Sequence, residues 1–248
     1  MAMDIEIVKD ADAAAEHAAE IFVETANAAI AERGRFNVSL SGGSTPKKLY
    51  KLLATPQFFE RLDAANIYLF FGDERNVPAD DDRSNYRMVR EAFIEPANFP
   101  AENVFRWLTE SASPDETASK YQDTLKAEFE LHGETHLPVF DLILLGLGDD
   151  CHTASLFPHS RAISEMERLA TANFVDKFNE YRLTMTFPVI NAARNVIFIA
   201  TGKEKADAVF EVIKGDIDVI SRPAQSVAPI NGGLKWILDE AAAKRISR

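Results

Sequence analysis

Short apolar runs and amphipathic stretches take turns along this chain, the pattern of strands alternating with helices. Ile5 to Val8 predicts a strand, followed by an alanine-rich helix from about Asp12 to Ala31. Phe36 to Leu40 predicts a second strand and Pro46 to Leu53 a helix; Ile67 to Phe71 predicts a third strand and Ser84 to Phe93 a helix. Pro114 to Leu131 has the periodicity of a long amphipathic helix. Phe140 to Leu145, apolar apart from Asp141, has the continuous hydrophobicity of a strand buried on both faces. Arg182 to Phe187 alternates polar and apolar residues as a half-exposed strand does, and Asn195 to Thr201 is mostly apolar before a helix from Lys203 to Ile213. Gly233 to Ala243, with Leu234, Ile237 and Leu238 at helical spacing, predicts a closing helix. The order implies an α/β fold: a mainly parallel sheet with helices on both faces. No repeat, low-complexity tract or linker interrupts it, so residues 1–248 are expected to form a single domain.

Composition narrows the function. The net charge of −12 disfavours nucleic acid and anionic membrane as partners, though screening leaves local cations free to bind a small anion. No apolar run nears the roughly 20 residues that a membrane span needs. A single cysteine allows no internal disulfide and fits a reducing, cytoplasmic location. Early acids at Asp4 and Glu6, with no basic end before an apolar core, argue against a signal peptide.

In parallel sheets ligands lie beyond the carboxyl ends of the strands, so the loops that follow strands carry the chemistry. After the second predicted strand comes Ser41-Gly42-Gly43-Ser44-Thr45-Pro46. Two glycines permit a tight turn, Ser44 or Thr45 can cap the next helix, and Pro46 suits its first position. Free amides at such a helix start make an anion site, although a plain capped loop accounts for most of these residues. The loop is not of the Walker A type. After the third strand, Gly72-Asp73-Glu74-Arg75 sets both charge signs at a strand end, where self-pairing in solvent is the competing explanation. Asp80-Asp81-Asp82 before Ser84-Asn85-Tyr86-Arg87 fits a polar loop entering a helix and lacks the later residues of a calcium loop.

Gly146-Leu147-Gly148-Asp149-Asp150-Cys151-His152 follows the buried Phe140 strand. It gives two glycines of a dinucleotide fingerprint, but Cys151 stands where the third belongs. His152 is the one histidine of five in a strand-end loop with a carboxylate, Asp150, two residues before it; His17, His132, His136 and His159 have surface or structural settings. An imidazole titrating near neutrality suits proton abstraction from water, and a carboxylate can fix its tautomer. Adjacent residues of an extended segment point opposite ways, which disfavours a thiol–imidazole pair of Cys151 and His152 if the loop is extended there, and no metal-ligand spacing is present. Arg182 and Lys205, ordinary surface charges when taken singly, are the cations that a phosphate at the Gly42-Gly43 loop would need.

Together these stretches resemble the 6-phosphogluconolactonase family in order and spacing. The resemblance is carried by Ser41-Gly42-Gly43-Ser44-Thr45-Pro46, by Gly72-Asp73-Glu74-Arg75 with Ser84-Asn85-Tyr86-Arg87, and above all by Asp150-Cys151-His152-Thr153-Ala154-Ser155-Leu156-Phe157-Pro158. Phe187-Pro188-Val189-Ile190-Asn191, Thr201-Gly202 with Lys205-Ala206, and Asn231-Gly232 with Trp236 extend it over nearly the whole chain. One departure is Cys151, where the family usually has glycine. If the position needs a positive φ, cysteine costs energy there and shifts His152. The resemblance implies a modified Rossmann-like fold and hydrolysis of 6-phospho-D-glucono-1,5-lactone without a cofactor or metal, by a monomer or small homo-oligomer. It assigns His152 as general base, Asp150 as its orienting carboxylate and Arg75 to the oxyanion. Gly42, Gly43, Ser44, Thr45, Asp73, Arg182 and Lys205 would then bind substrate and its phosphate. The alternatives are an amino-sugar phosphate deaminase and a non-enzymatic sugar-phosphate sensor. Deaminases usually carry glutamate where this chain has Phe157 and tyrosine where it has Arg75.

Overall fold

The computed structural model describes residues 4–111, 113–132 and 137–247. The strands among these residues are β1 (Asp4–Val8), β2 (Phe36–Leu40), β3 (Ile67–Phe71), β4 (Asp73–Arg75), β5 (Val104–Phe105), β6 (Leu142–Leu145), β7 (Ala170–Val175), β8 (Glu180–Met185), β9 (Asn195–Ala200) and β10 (Gly233–Asp239). The helices are α1 (Ala11–Arg33), α2 (Ser44–Leu53), α3 (Pro56–Phe59), α4 (Asn85–Val89), α5 (Pro114–Glu128), α6 (Phe187–Asn191) and α7 (Ala206–Ile213). Seven strands form one parallel sheet in the order β1-β10-β9-β6-β2-β3-β5, and β4-β8-β7 form a small antiparallel sheet.

The parallel sheet agrees with the expected α/β architecture. From β2 the chain moves to β3 and β5 on one side, whereas from β6 it moves to β9 and β10 on the other. Right-handed crossovers therefore place α2 and α3 on one face and α7 on the opposite face. They also make the adjacent carboxyl ends of β2 and β6 a topological switch point, the crevice where such sheets bind ligands. The core lies between the sheet and its covering helices. α1 turns Ala14, Ala18, Ala19 and Ala26 inward, where small side chains allow close approach, and seats Phe22 edge-on against Phe36 at 5.3 Å.

The closing helix expected over Gly233–Ala243 is a strand, β10, over Gly233–Asp239. Trp236, Ile237, Leu238 and Asp239 are buried in succession because β10 lies inside the sheet, between β1 and β9. A strand buried on both faces has no two-residue alternation, so Leu234, Ile237 and Leu238 matched the helical template by chance. The strand expected over Arg182–Phe187 begins earlier, at Glu180, and Phe187 starts α6 instead. The predicted Ser84–Phe93 helix is α4 followed by a π-helical turn over Arg90–Ile94. Neither Ser44 nor Thr45 caps α2: Gly43, at φ +113°, is the N-cap, so Pro46 takes the third helical position rather than the first. Proline fits there equally well, because amide donors of the first turn have no partner within the helix. His136 lies outside the described residues.

Candidate active site

Two buried tyrosines hold the strand ends from which the site is built. Tyr50, on α2, donates its hydroxyl to the Ser41 carbonyl at 2.8 Å and accepts from the Ser41 amide at 3.0 Å. Tyr121, on α5, does the same for Phe71 at the end of β3, donating at 2.9 Å and accepting at 2.8 Å. Burial drives both phenols well above their ordinary range, so each remains a neutral bridge across one residue's backbone. The loops after β2 and β3 thus leave rigid points.

Beyond these points lies a cavity of about 300 Å³, lined by Ser41, Gly42 and Gly43 after β2, by Asp73 and Arg75 on β4, and by Gly146 to Gly148 and His152 after β6. Arg182 on β8 and Lys205 after β9 complete its charged wall. Four neighbouring strands of the parallel sheet, β3, β2, β6 and β9, send their carboxyl ends to one opening at the switch point.

His152 is held from several directions. The loop before it closes on itself, with the Gly148 amide donating to the His152 carbonyl at 2.8 Å and the Cys151 amide to the Gly148 carbonyl at 3.2 Å. This tight closure puts Cys151 at φ +63°, the left-handed conformation in which glycine carries no steric penalty. The Cys151 side chain is buried, and burial pushes its thiol up to about 11. The His152 ring stacks on Phe157 at 4.0 Å and its Nδ1 lies 2.5 Å from Asp150 Oδ1. Burial raises the Asp150 carboxyl, but the hydrogen bond and charge of His152, then Lys177, outweigh it and hold the group well below the usual carboxylate range. An ionised carboxylate only accepts, so Nδ1 carries the proton and Nε2 is the basic nitrogen. Gly148 makes room for the pair: a Cβ there would overlap His152 Nδ1 and Cε1 and lie 2.8 Å from Asp150 Oδ1.

The floor is a polar network centred on Asp73. Its Oδ2 accepts from the Ser155 hydroxyl at 2.7 Å and its backbone carbonyl from Asn85 Nδ2 at 3.0 Å. Asn85 fills the space that a side chain at Gly42 would need. Glu74 faces away from the cavity: its carboxylate accepts the amides of Arg75, Asn85 and Tyr86 at 2.7, 2.7 and 2.8 Å, fastening the start of α4. Arg75 and Arg182 are directly opposite on β4 and β8, so both side chains leave the same face of the small sheet, and both line the cavity. Arg75 donates to the Arg83 carbonyl at 2.5 Å; Arg182 pairs with Glu180 at 2.8 Å and lies over the Phe178 ring at 5.1 Å.

Of the residues expected from sequence, His152, Arg75, Asp73, Gly42, Gly43, Arg182 and Lys205 line the cavity, and Asp150 supports it through His152. Ser44 and Thr45 do not line it: Ser44 is exposed, and the Thr45 hydroxyl is engaged with Thr201 at 2.8 Å. Their amides still belong to the first turn of α2. Sequence reasoning missed Ser155 and Phe178 as lining residues and Lys177 as a partner of Asp150. Asn85 stood within a quoted motif, but nothing along the chain signalled that it packs on Gly42. Among the described residues, no group of three or more His, Cys, Asp or Glu side chains is arranged to hold a metal ion, and no helix is long and apolar enough to cross a membrane.

Residues 9–236 match the family described as glucosamine-6-phosphate isomerases/6-phosphogluconolactonase. The chain is 42% identical to a 6-phosphogluconolactonase of Synechocystis sp., covering 88% of each protein. It is 37% identical to that of Nostoc sp. over the full length of both. A structure of 6-phosphogluconolactonase from Trypanosoma cruzi superposes with a TM-score of 0.88 at 30% identity, covering 100% of this chain and 98% of that one. A monomeric glucosamine-6-phosphate deaminase shares the fold, with a TM-score of 0.82 at 19% identity over 98% of this chain and 99% of that one. The cavity at the switch point, with its glycine loop, paired arginines and carboxylate-backed imidazole, is therefore carried by a chain that belongs to the glucosamine-6-phosphate isomerase/6-phosphogluconolactonase family.

Proposed function

We propose that this chain, acting as one domain, hydrolyses 6-phospho-D-glucono-1,5-lactone to 6-phosphogluconate, with His152 as general base. The observation that carries this reading is the presence, in one cavity, of an imidazole oriented by a carboxylate and a glycine loop flanked by cations. The names of the relatives support the same reaction. His152 Nε2 takes a proton from water as the water oxygen bonds to the lactone carbonyl carbon. Asp150 accepts from Nδ1–H and stabilises the imidazolium that results. Negative charge gathers on the carbonyl oxygen, where Arg75 and loop amides receive it; one such donor is typically worth about 10²–10³ in rate. When the ester bond breaks, the ring oxygen leaves and recovers the proton from Nε2. The phosphate occupies the first turn of α2, at the Gly42 to Thr45 amides, with Arg182 and Lys205 as counter-charges.

Phe157 in place of a glutamate leaves no acid at that point of the loop for the ring opening an amino-sugar deaminase performs. A single buried cysteine is compatible with a reducing cytoplasm. The test is acid release from the lactone, followed at constant pH above its spontaneous rate. His152→Ala should lower kcat by about 10²–10⁴ with KM nearly unchanged. Turnover within a few-fold of wild type in that variant would remove His152 from the reaction. Ammonia release from glucosamine 6-phosphate would instead identify a deaminase.

A further inference from the structure

β7 and β8 are joined by Asp176-Lys177-Phe178-Asn179, a tight turn closed by the Phe178 amide to the Val175 carbonyl at 3.0 Å and the Asn179 amide to the Asp176 carbonyl at 3.1 Å. Asn179 lies at φ +50°, a left-handed position that asparagine tolerates. The turn throws two consecutive side chains onto the loop that carries His152. Lys177 Nζ lies 3.0 Å from Asp150 Oδ2 and 3.3 Å from Asp149 Oδ1. Phe178 meets Phe157 edge-on at 5.8 Å, and Phe157 is the ring on which the imidazole stacks.

Asp150 therefore divides its two oxygens between two donors: Oδ1 faces His152 Nδ1 and Oδ2 faces the Lys177 ammonium. A carboxylate tethered at only one oxygen can rotate about its terminal torsion, which is broad. Tethered at both, it keeps Oδ1 on the imidazole. The lysine also helps to keep the carboxylate ionised, and so an acceptor for Nδ1–H.

We infer that Lys177, at the tip of the β7–β8 hairpin, is a positioning residue for the general base, aiming Asp150 at His152. This rests on the reaction proposed above. The charged groups surrounding the imidazole are Asp149 and Asp150 on its own loop, Lys177 on the hairpin, Asp73 and Arg75 on β4, Arg182 on β8 and Lys205 after β9. Glu211 and Arg222 flank the neighbouring Cys151. Only Lys177 changes in the test.

Lys177→Met and Lys177→Arg are compared with wild type for kcat, KM and the NMR signal of the His152 Nδ1–H. Methionine keeps the length of the side chain and removes its charge. Its kcat should fall by about 3–10-fold with KM within twofold, the scale of losing a partly exposed charge-assisted contact. Arginine should restore kcat. The Nδ1–H proton resonance of His152, held downfield by its bond to Asp150, should move upfield in Lys177→Met and return in Lys177→Arg when followed by NMR without substrate, a readout that survives even if lactone is not the substrate. Wild type without lactone turnover would overturn the proposed reaction alone. An unchanged kcat or an unmoved Nδ1–H resonance in Lys177→Met would overturn the role of Lys177, as would an arginine variant as impaired as methionine.

Discussion

Gly148→Ala isolates the position of the imidazole from its chemistry. Gly148 is not among the glycines with positive φ, so its backbone accepts alanine and the effect is steric. The new methyl group would overlap two atoms of the His152 ring and lie 2.8 Å from Asp150 Oδ1. Carbon contacts settle at about 3.5–4.0 Å, so the ring must retreat by about 1 Å or more. The loop cannot absorb this by opening, since Gly148 and His152 are tied through their own backbones at 2.8 Å. The side chain moves instead, away from Asp150 or off Phe157. Misplacement by about 1 Å can cost about 10²-fold in rate. The ring is partly exposed and can swing outward, so stability should fall by only about 1 kcal/mol, the worth of one lost hydrogen bond. The assay is kcat for lactone hydrolysis beside a denaturant melt, repeated in a His152→Ala background. There, Gly148→Ala should add almost nothing, because the atoms it displaces are gone. A single variant turning over within threefold of wild type, or one equally harmful with and without His152, would refute the reasoning.

Arg75→Met, which removes the oxyanion contact, should lower kcat by about 10²–10³, whereas Arg182→Met, which removes a phosphate contact, should raise KM by about 10-fold or more. Steady-state kinetics of both variants check the assignment, and the reverse pattern would exchange the two roles. Native Cys151 should resist thiol reagents at pH 8 and react fully once unfolded, since a thiol pushed up to about 11 is only about one part in a thousand thiolate there. Asp150, held low in the folded state, contributes stability that is present above its unfolded pKa and lost as pH falls through the folded one. The stability gap between wild type and Asp150→Asn should therefore narrow below about pH 4, as read by denaturant melts at stepped pH.

Much of the site was legible because it follows strands that are themselves legible. Ile67–Phe71 and the apolar run up to Leu145 announce buried strands, and polar residues straight after them, Asp73, Arg75 and His152, reach the shared cavity, with Asp150 behind His152. A positive φ at Cys151 was foreseeable only as a condition, and the backbone meets it. What was lost depends on partners distant in sequence. Nothing near Lys177 signals Asp150, which is 27 residues away, or near Ser155 signals Asp73, 82 residues away. Thr45 matched the composition of a phosphate loop, but its hydroxyl is committed to Thr201, 156 residues on. β10 failed for another reason: internal strands of parallel sheets lack the alternation that separates strand from helix.

The four strands that deliver the site, β2, β3, β6 and β9, each have a neighbour on both sides, and the sheet's two margins are β1 and β5. Fraying begins at margins, and the amides slowest to exchange with deuterium sit in the middle of a sheet. The backbone under the cavity should exchange only through global unfolding, while that of Asp4–Val8 exchanges earlier. Warming the protein should then leave catalysis intact while the parallel sheet loosens at β1 and β5, since neither of those margins carries a residue of the cavity.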